Sequence, residues 1–388
     1  MSGVLRRFAA WLVVAGLAAP TFAVAQSAVS PAEQLPAEAA AGVSAADPLE
    51  RLIDDAIASS ARRYLDADRH TPWQIMHGLL ALRGDYQIRK AGQNVNALEW
   101  LASGPRFDGR PWFEKTESGG RAHPYTRNYA FEGHPNQFLA ILSMSDLPLD
   151  FRLRTPDGEI TIADMVRHAQ WEASTRDEPT WTLWALSHYL PPGTTWENKY
   201  DQRWSLESLV RLQVNETFER AACGGTHAGF ALARALDKHR QTGRPPSGVW
   251  IDADQKVRRY LETARAYQNS DGTFSTSYFQ SRTSSSDFAT RLQTSGHTLE
   301  FVVAALPAER LREDWVRRAV ERLAREIYDR RREAVDVGAL FHAVDGLVIY
   351  RERTRAAAVD GERIARDSGA PSADAPEEDV EAAPPTGP

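Results

Sequence analysis

Along residues 49–354 apolar positions recur at spacings of three and four, and strict alternation is scarce. This predicts a domain built almost entirely of helices. Six segments are short, strongly apolar and weakly charged: 73–82, 136–144, 180–189, 227–236, 297–306 and 338–349. Six charged, amphipathic segments lie between them: 49–66, 95–102, 162–174, 206–214, 252–267 and 309–332. Helices that are apolar on all sides are buried, and amphipathic helices cover them. The alternation therefore predicts six inner helices inside six outer ones, an all-α (α/α)6 toroid. An open helical solenoid is the alternative, although such arrays keep a tighter repeat length than this chain does.

The flanks read differently. Arg6-Arg7, an uncharged run over 8–25 and the small residues Ala23-Val24-Ala25 have the form of a secretory signal peptide. That places the mature chain in the periplasm or outside the cell. An uncleaved anchor is the alternative, since the run is long enough to span a bilayer. Residues 26–48 and 355–388 are rich in Ala, Pro, Ser and acids and poor in large apolar groups, so they are expected to be a flexible lead-in and a disordered acidic tail. The net charge of −6 resides in these flanks, which leaves the core near neutral. Without a basic field no nucleic-acid partner is expected, and after cleavage of the leader no membrane span. The single cysteine, Cys223, excludes an internal disulfide. A lone thiol in an exported protein is buried, metal-bound or reactive.

A local repeat carries a resemblance. Gln170, Gln213 and Gln268 each close an outer helix. The last two are followed by Phe218 and Phe274 and then by Gly-containing loops that lead to His227 and His297. The fullest copy is Tyr267-Gln268-Asn269-Ser270-Asp271-Gly272-Thr273-Phe274. It resembles the QW-type repeat of the terpenoid cyclase and protein prenyltransferase toroid superfamily, which implies the toroid fold. The activities are not carried over. The aspartate-rich acid motif of the cyclases is missing. The prenyltransferase pattern places an Asp two residues before its zinc-binding Cys, and here Ala221 stands there. Separately, Gly296-His297-Thr298-Leu299-Glu300-Phe301 is similar to a Gly-His-x-x-Glu-Trp segment of the N-acylglucosamine 2-epimerase family, another (α/α)6 barrel. In that family the His implies proton transfer at a sugar carbon.

In such a ring the inner helices share one rim. Four of the ten histidines, His77, His134, His227 and His297, fall at or near the expected starts of inner helices, and His342 lies a turn into the sixth. Three readings stay open. In the first, His134, His227 and His297 perform acid/base catalysis on a carbohydrate or similar polar ligand. Arg127, Asn128, Glu132, Asn136 and Glu300 then bind it, and Trp73 and Trp181 stack on it. In the second, Cys223 and His227 bind zinc, with His297 or His134 as a third ligand, for metal-assisted hydrolysis or transfer. In the third, these residues are structural caps and core, and the ring is a non-catalytic binding or scaffold module. A deep cleft lined by Trp73, Trp181 and the histidines would favour an enzyme over a scaffold.

Overall fold

The computed structural model describes residues 47–124 and 129–367. The expected leader, most of the lead-in, residues 368–388 of the tail, and Arg127 and Asn128 lie outside the described residues.

Among the described residues the chain is mostly helical, and its helices follow the predicted alternation. The charged segments are α1 (Pro48–Ala61), α3 (Ala97–Ala102), α5 (Ile162–Glu172), α7 (Leu206–Asn215), α9 (Val249–Tyr267) and α11 (Asp314–Asp329). The apolar ones are α2 (Pro72–Leu82), α4 (Gln137–Ser143), α6 (Thr180–Tyr189), α8 (Thr226–Arg240), α10 (Phe288–Ala305) and α12 (Val337–Asp367). Burial separates the two sets. In α6 every residue from Thr180 to Ser187 is buried. In α11 the buried stripe is Trp315, Val316, Ala319, Val320, Leu323, Ala324 and Ile327, and charged side chains take much of the rest.

The apolar helices pack in sequence: α2 on α4, α4 on α6, α6 on α8, α8 on α10 and α10 on α12. The chain's last helix, α12, then packs on α2. The charged helices lie against this series. α5 touches α4 and α6, α9 touches α8 and α10, α11 touches α10 and α12, and α1 packs on α11 and α12. Arg63, just after α1, reinforces that last join. Its Nη1 donates to the Glu333 carbonyl at 2.8 Å and its Nη2 to the Arg330 carbonyl at 3.0 Å, beyond the end of α11.

Five two-stranded antiparallel hairpins interrupt the helices among the described residues, which the scarcity of alternation did not predict. Three of them share one design. The pairs Gln87–Lys90/Gln93–Asn96, Arg152–Thr155/Gly158–Thr161 and Thr195–Glu197/Arg203–Ser205 each run straight into one of the charged helices. Each pairs one apolar residue across its strands: Ile88 with Val95, Leu153 with Ile160, and Trp196 with Trp204. The last residue of the second strand, Asn96, Thr161 or Ser205, caps the helix that follows. Such a cap contributes about 1 kcal/mol. Strands of three or four residues hold too few positions for alternation to stand out.

Two boundaries differ from expectation. Helix α10 begins at Phe288, where Asp287 caps it by accepting from the Thr290 N–H at 2.7 Å. His297 is therefore in mid-helix. Helix α12 continues to Asp367, through the first part of the expected disordered tail. Arg351 Nη1 lies 3.0 Å from Asp54 Oδ1, and Arg355 pairs with Glu50 at 2.5 Å and with Asp54 at 2.9 Å, all against α1. Ala356-Ala357-Ala358 follows, and alanine is the strongest helix former. A composition poor in large apolar groups signals disorder only where no neighbouring helix supplies partners. No helix among the described residues is long and apolar enough to cross a membrane.

Candidate metal and acid/base site

The histidines expected on one rim do converge, although their helices start at different heights. His77 on α2, His227 on α8, His297 on α10 and His342 on α12 are all buried. Their rings pack edge to edge. Centroids are 4.0 Å apart for His297–His342, 4.8 Å for His227–His342, and 5.1 Å for both His227–His297 and His77–His342. His134, in the loop before α4, completes the group 6.4 Å from His227.

Four of the five rings are oriented through Nδ1. His77 Nδ1–H donates to the Trp73 carbonyl and His297 Nδ1–H to the Gln293 carbonyl, each at 2.7 Å. A carbonyl only accepts, so these bonds fix the tautomer and leave Nε2 with its lone pair. His134 Nδ1 lies 2.5 Å from Glu178 Oε2, and His342 Nδ1 lies 3.0 and 2.9 Å from the two oxygens of Glu300. His227 is the exception. Both of its ring nitrogens are buried, and neither has a hydrogen-bond partner among the described residues. Leaving a buried polar atom unpaired costs about 1–3 kcal/mol.

Two sets of potential ligand atoms surround that orphaned ring. Cys223, His227 and His297 each bring one such atom to within 4.8 Å of the others, and so do His227, Glu300 and His342. Backbone geometry delivers Cys223. Residues Cys223, Gly224 and Gly225 take φ values of 50°, 63° and 82° in succession. A Cβ on Gly224 would fall 2.3 Å from the Tyr278 ring, and one on Gly225 2.3 Å from Phe218 Cβ, so only glycine fits either position. Cys223 itself stands in the strained left-handed region, which persists only where surrounding structure imposes it.

Electrostatics keeps the four buried rings neutral. Burial first, then the neighbouring imidazoles, hold His227 and His297 far below the ordinary imidazole range, and burial does the same for His77. Burial holds His342 down to about 3 and pushes Glu300 up to about 8. Burial also pushes the Cys223 thiol up to about 12, so without a metal it is not an activated thiolate. Histidines held this far below neutrality are poor general bases and good metal ligands.

Below Glu300 a buried polar chain continues. It runs to Asp345, whose Oδ1 lies 2.5 Å from Arg83 Nη2 and whose buried Oδ2 has no hydrogen-bond partner among the described residues. Burial raises Asp345 well above the usual carboxylate range. The spacing His342-Ala343-Val344-Asp345 on α12 repeats His297-Thr298-Leu299-Glu300 on α10. Three residues apart, the two members of each pair share a helix face. That repeat is a signal for Asp345, which a reading centred on helix starts passes over.

A cleft of about 420 Å³ opens beside the cluster, lined by His134, Glu132, Asn136, Glu178, Arg121 and His168 among others. Two expected binding residues have structural work there, and a third lies elsewhere. Glu132 is buried, accepts from the Phe138 N–H at 2.8 Å at the start of α4, and is pushed up to about 8 by burial. Asn136 opens α4 at φ 63° and its Nδ2 donates to Thr182 Oγ1 at 2.8 Å. Glu300 lies beneath His342 and not in the cleft. Trp181 is fully buried, its ring covered by His134, Trp184 and His227, so it is a wall of the cluster and not an open stacking face. Trp73 rests on His77 at 3.8 Å and on Tyr129 at 4.7 Å. Glu178, the partner of His134, was missed because a carboxylate two residues before an apolar helix carries no distinctive spacing.

Comparison of the chain with protein-family models, with curated proteins and with solved structures finds no match, so the reading of the site rests on its residues alone.

Proposed function

We propose that the closed packing circuit of α2, α4, α6, α8, α10 and α12 is the inner ring of an (α/α)6 toroid, and that its centre binds zinc through Cys223, His227 and His297. The observation that carries this reading is His227. Its two unpartnered buried nitrogens lie among the potential ligand atoms of Cys223, His297, His342 and Glu300. Zinc is suited by one thiolate with two imidazoles, and three protein ligands leave the fourth position that catalytic zinc sites keep open. Glu300 holds His342 through Nδ1, and the His342 ring packs on the rings of His297 and His227 at 4.0 and 4.8 Å, so the carboxylate supports two of the proposed ligands through a third imidazole.

In this reading the protein is an exported, metal-dependent hydrolase or transferase acting on a carbohydrate or similar polar ligand in the adjacent cleft. Zinc held by Cys223, His227 and His297 would supply a Lewis acid. His134, oriented by Glu178, lines the cleft and is placed to move a proton to or from the ligand. The same dyad supports a second reading, metal-free acid/base chemistry by His134 and Glu178 alone, because it faces open space while the other four rings are buried.

Cobalt substitution separates the two. Cobalt-loaded protein should show a thiolate-to-cobalt charge-transfer band that Cys223→Ser abolishes. A cobalt spectrum with no thiolate band, unchanged in Cys223→Ser, would remove Cys223 from the site and leave the His134–Glu178 dyad leading.

A further inference from the structure

A second cavity, of about 470 Å³, lies at the other end of the inner helices. All six contribute to it, five from their C-terminal portions or just beyond and α12 from its middle, including Arg83 after α2, Ser143 of α4, His188 of α6, Arg234 of α8, Ala304 of α10 and Glu352 of α12. Arg234 is seven residues beyond His227 on the same helix, and Ala304 seven beyond His297. Two helical turns, about 10 Å, therefore separate this cavity from the histidines.

Its chemistry is set by two guanidiniums. Arg234 Nε is buried with no hydrogen-bond partner, and no carboxylate among the described residues pairs with that side chain. Arg83 is half satisfied: Nη2 holds Asp345, and Nη1 is buried without a partner. Arg83 repels the Arg234 guanidinium, and Asp345, Asp146 and Asp237 attract it without any of them forming an ion pair with it. Compensation of the helix C-termini does not explain the arrangement, because a different residue does that. Arg353 Nη1 donates to the carbonyls of Val303, Ala304 and Leu306 at 2.6, 3.2 and 2.7 Å, closing α10. Arg234 donates to no carbonyl among the described residues.

The remaining charges limit what could enter. Lys238 and Arg353 also line the cavity, as do Asp146, Asp237 and Glu352, so four cationic and three anionic side chains leave an excess of one positive charge. A doubly charged phosphate would exceed that balance. One carboxylate group would meet a matched guanidinium fork, and donor groups elsewhere on the same molecule would suit Asp146 and Asp237.

We propose that this cavity is a second ligand site, taking a small monocarboxylate whose carboxylate is bound by Arg234 and Arg83 and whose other end carries hydroxyl or amine donors. The site stands independently of the metal reading, since it shares no residue with the histidine cluster.

The test is thermal unfolding of the full chain against a panel of acetate, glycine, gluconate and glucuronate, with sulfate and inorganic phosphate at matched ionic strength, in wild type and Arg234→Met. Removing an unpaired buried cation costs no hydrogen bond, so Arg234→Met is expected to melt at or above the wild-type temperature without ligand. At least one hydroxylated or amino carboxylate should raise the wild-type Tm saturably, by more than phosphate does, and Arg234→Met should lose that shift. A carboxylate bound instead at the histidine cluster would shift both proteins alike and overturn the proposal. So would a panel that shifts neither, or a phosphate shift as large as the best carboxylate's. An Arg234→Met protein that melts well below wild type without ligand would show that the guanidinium has a structural partner, and would equally overturn it.

Discussion

His342 Nδ1 lies 3.0 and 2.9 Å from the two carboxylate oxygens of Glu300, and both side chains are almost wholly buried. Neither residue reaches the cleft, so the pair fixes the ring that packs against the proposed ligands His297 and His227, at centroid distances of 4.0 and 4.8 Å. Removing a carboxylate that orients a ligating imidazole directly lowers metal affinity by about 10–100-fold. Glu300 acts one residue removed, through His342, so Glu300→Ala is expected to weaken zinc binding by no more than about 10-fold in a chelator competition, while Glu300→Gln, which keeps an acceptor for Nδ1–H, recovers part of it. Equal affinity in wild type and Glu300→Ala would remove Glu300 from the account.

The Cys223 loop depends on glycine at a particular place. Gly225→Ala combines φ 82° with a Cβ that would lie 2.3 Å from Phe218 Cβ. Strain and overpacking each cost about 1–3 kcal/mol. Chemical denaturation should show Gly225→Ala destabilised by at least about 2 kcal/mol, whereas Gly243→Ala, in open space at φ 70°, should lose less than half of that.

Glu132 gives a pH dependence with a definite sign. Burial raises its folded-state pKa from 4.5 to about 8, so the folded chain holds a proton that the unfolded chain has released. Its favourable contribution is fully present below about pH 4.5 and is lost as pH rises from there through 8. Glu132→Gln keeps the acceptor for the Phe138 N–H and carries no charge. Its stability relative to wild type should grow across that window by on the order of a few kcal/mol. A difference that stays flat between pH 5 and 8 would show that Glu132 is ionised in the folded protein.

Arg63 joins the first charged helix to the last. The Arg330 carbonyl also accepts from the Glu333 N–H at 2.9 Å, the Glu333 carbonyl has no other donor among the described residues, and burial lowers the pKa of Arg63 to about 10. Arg63→Ala leaves one carbonyl unpaired and should cost about 2 kcal/mol in urea unfolding. Arg355→Ala, at an exposed ion pair on the same side, should cost under about 1 kcal/mol.

Much of the helical plan was legible in the chain. Segment 180–189 is α6 residue for residue, and 162–174 and 206–214 fall within two residues of α5 and α7 at both ends, because burial on all sides and burial along a stripe leave different periodicities. Gln268 does bridge backbone groups at a helix end, donating to the carbonyls of Gly272 at 3.1 Å and of Trp315 at 2.8 Å. The hairpins were not legible, since two to four residues give alternation no length to act over. The convergence of the histidines was legible, but its reason was not. His297 reaches the centre from the middle of α10, and no spacing within one helix reports the height of its neighbour. Glu178 and Arg83 were invisible for the same reason: their importance lies in partners 44 and 262 residues away.

The central claim is met most directly by metal analysis of the purified, tag-free chain after dialysis against zinc and then against buffer, alongside His227→Ala. The account predicts stoichiometric zinc in the wild type, lost in His227→Ala although that variant removes two unpaired buried nitrogens and should remain folded. A wild-type chain that retains no zinc, with a His227→Ala variant folded and equally metal-free, would contradict it.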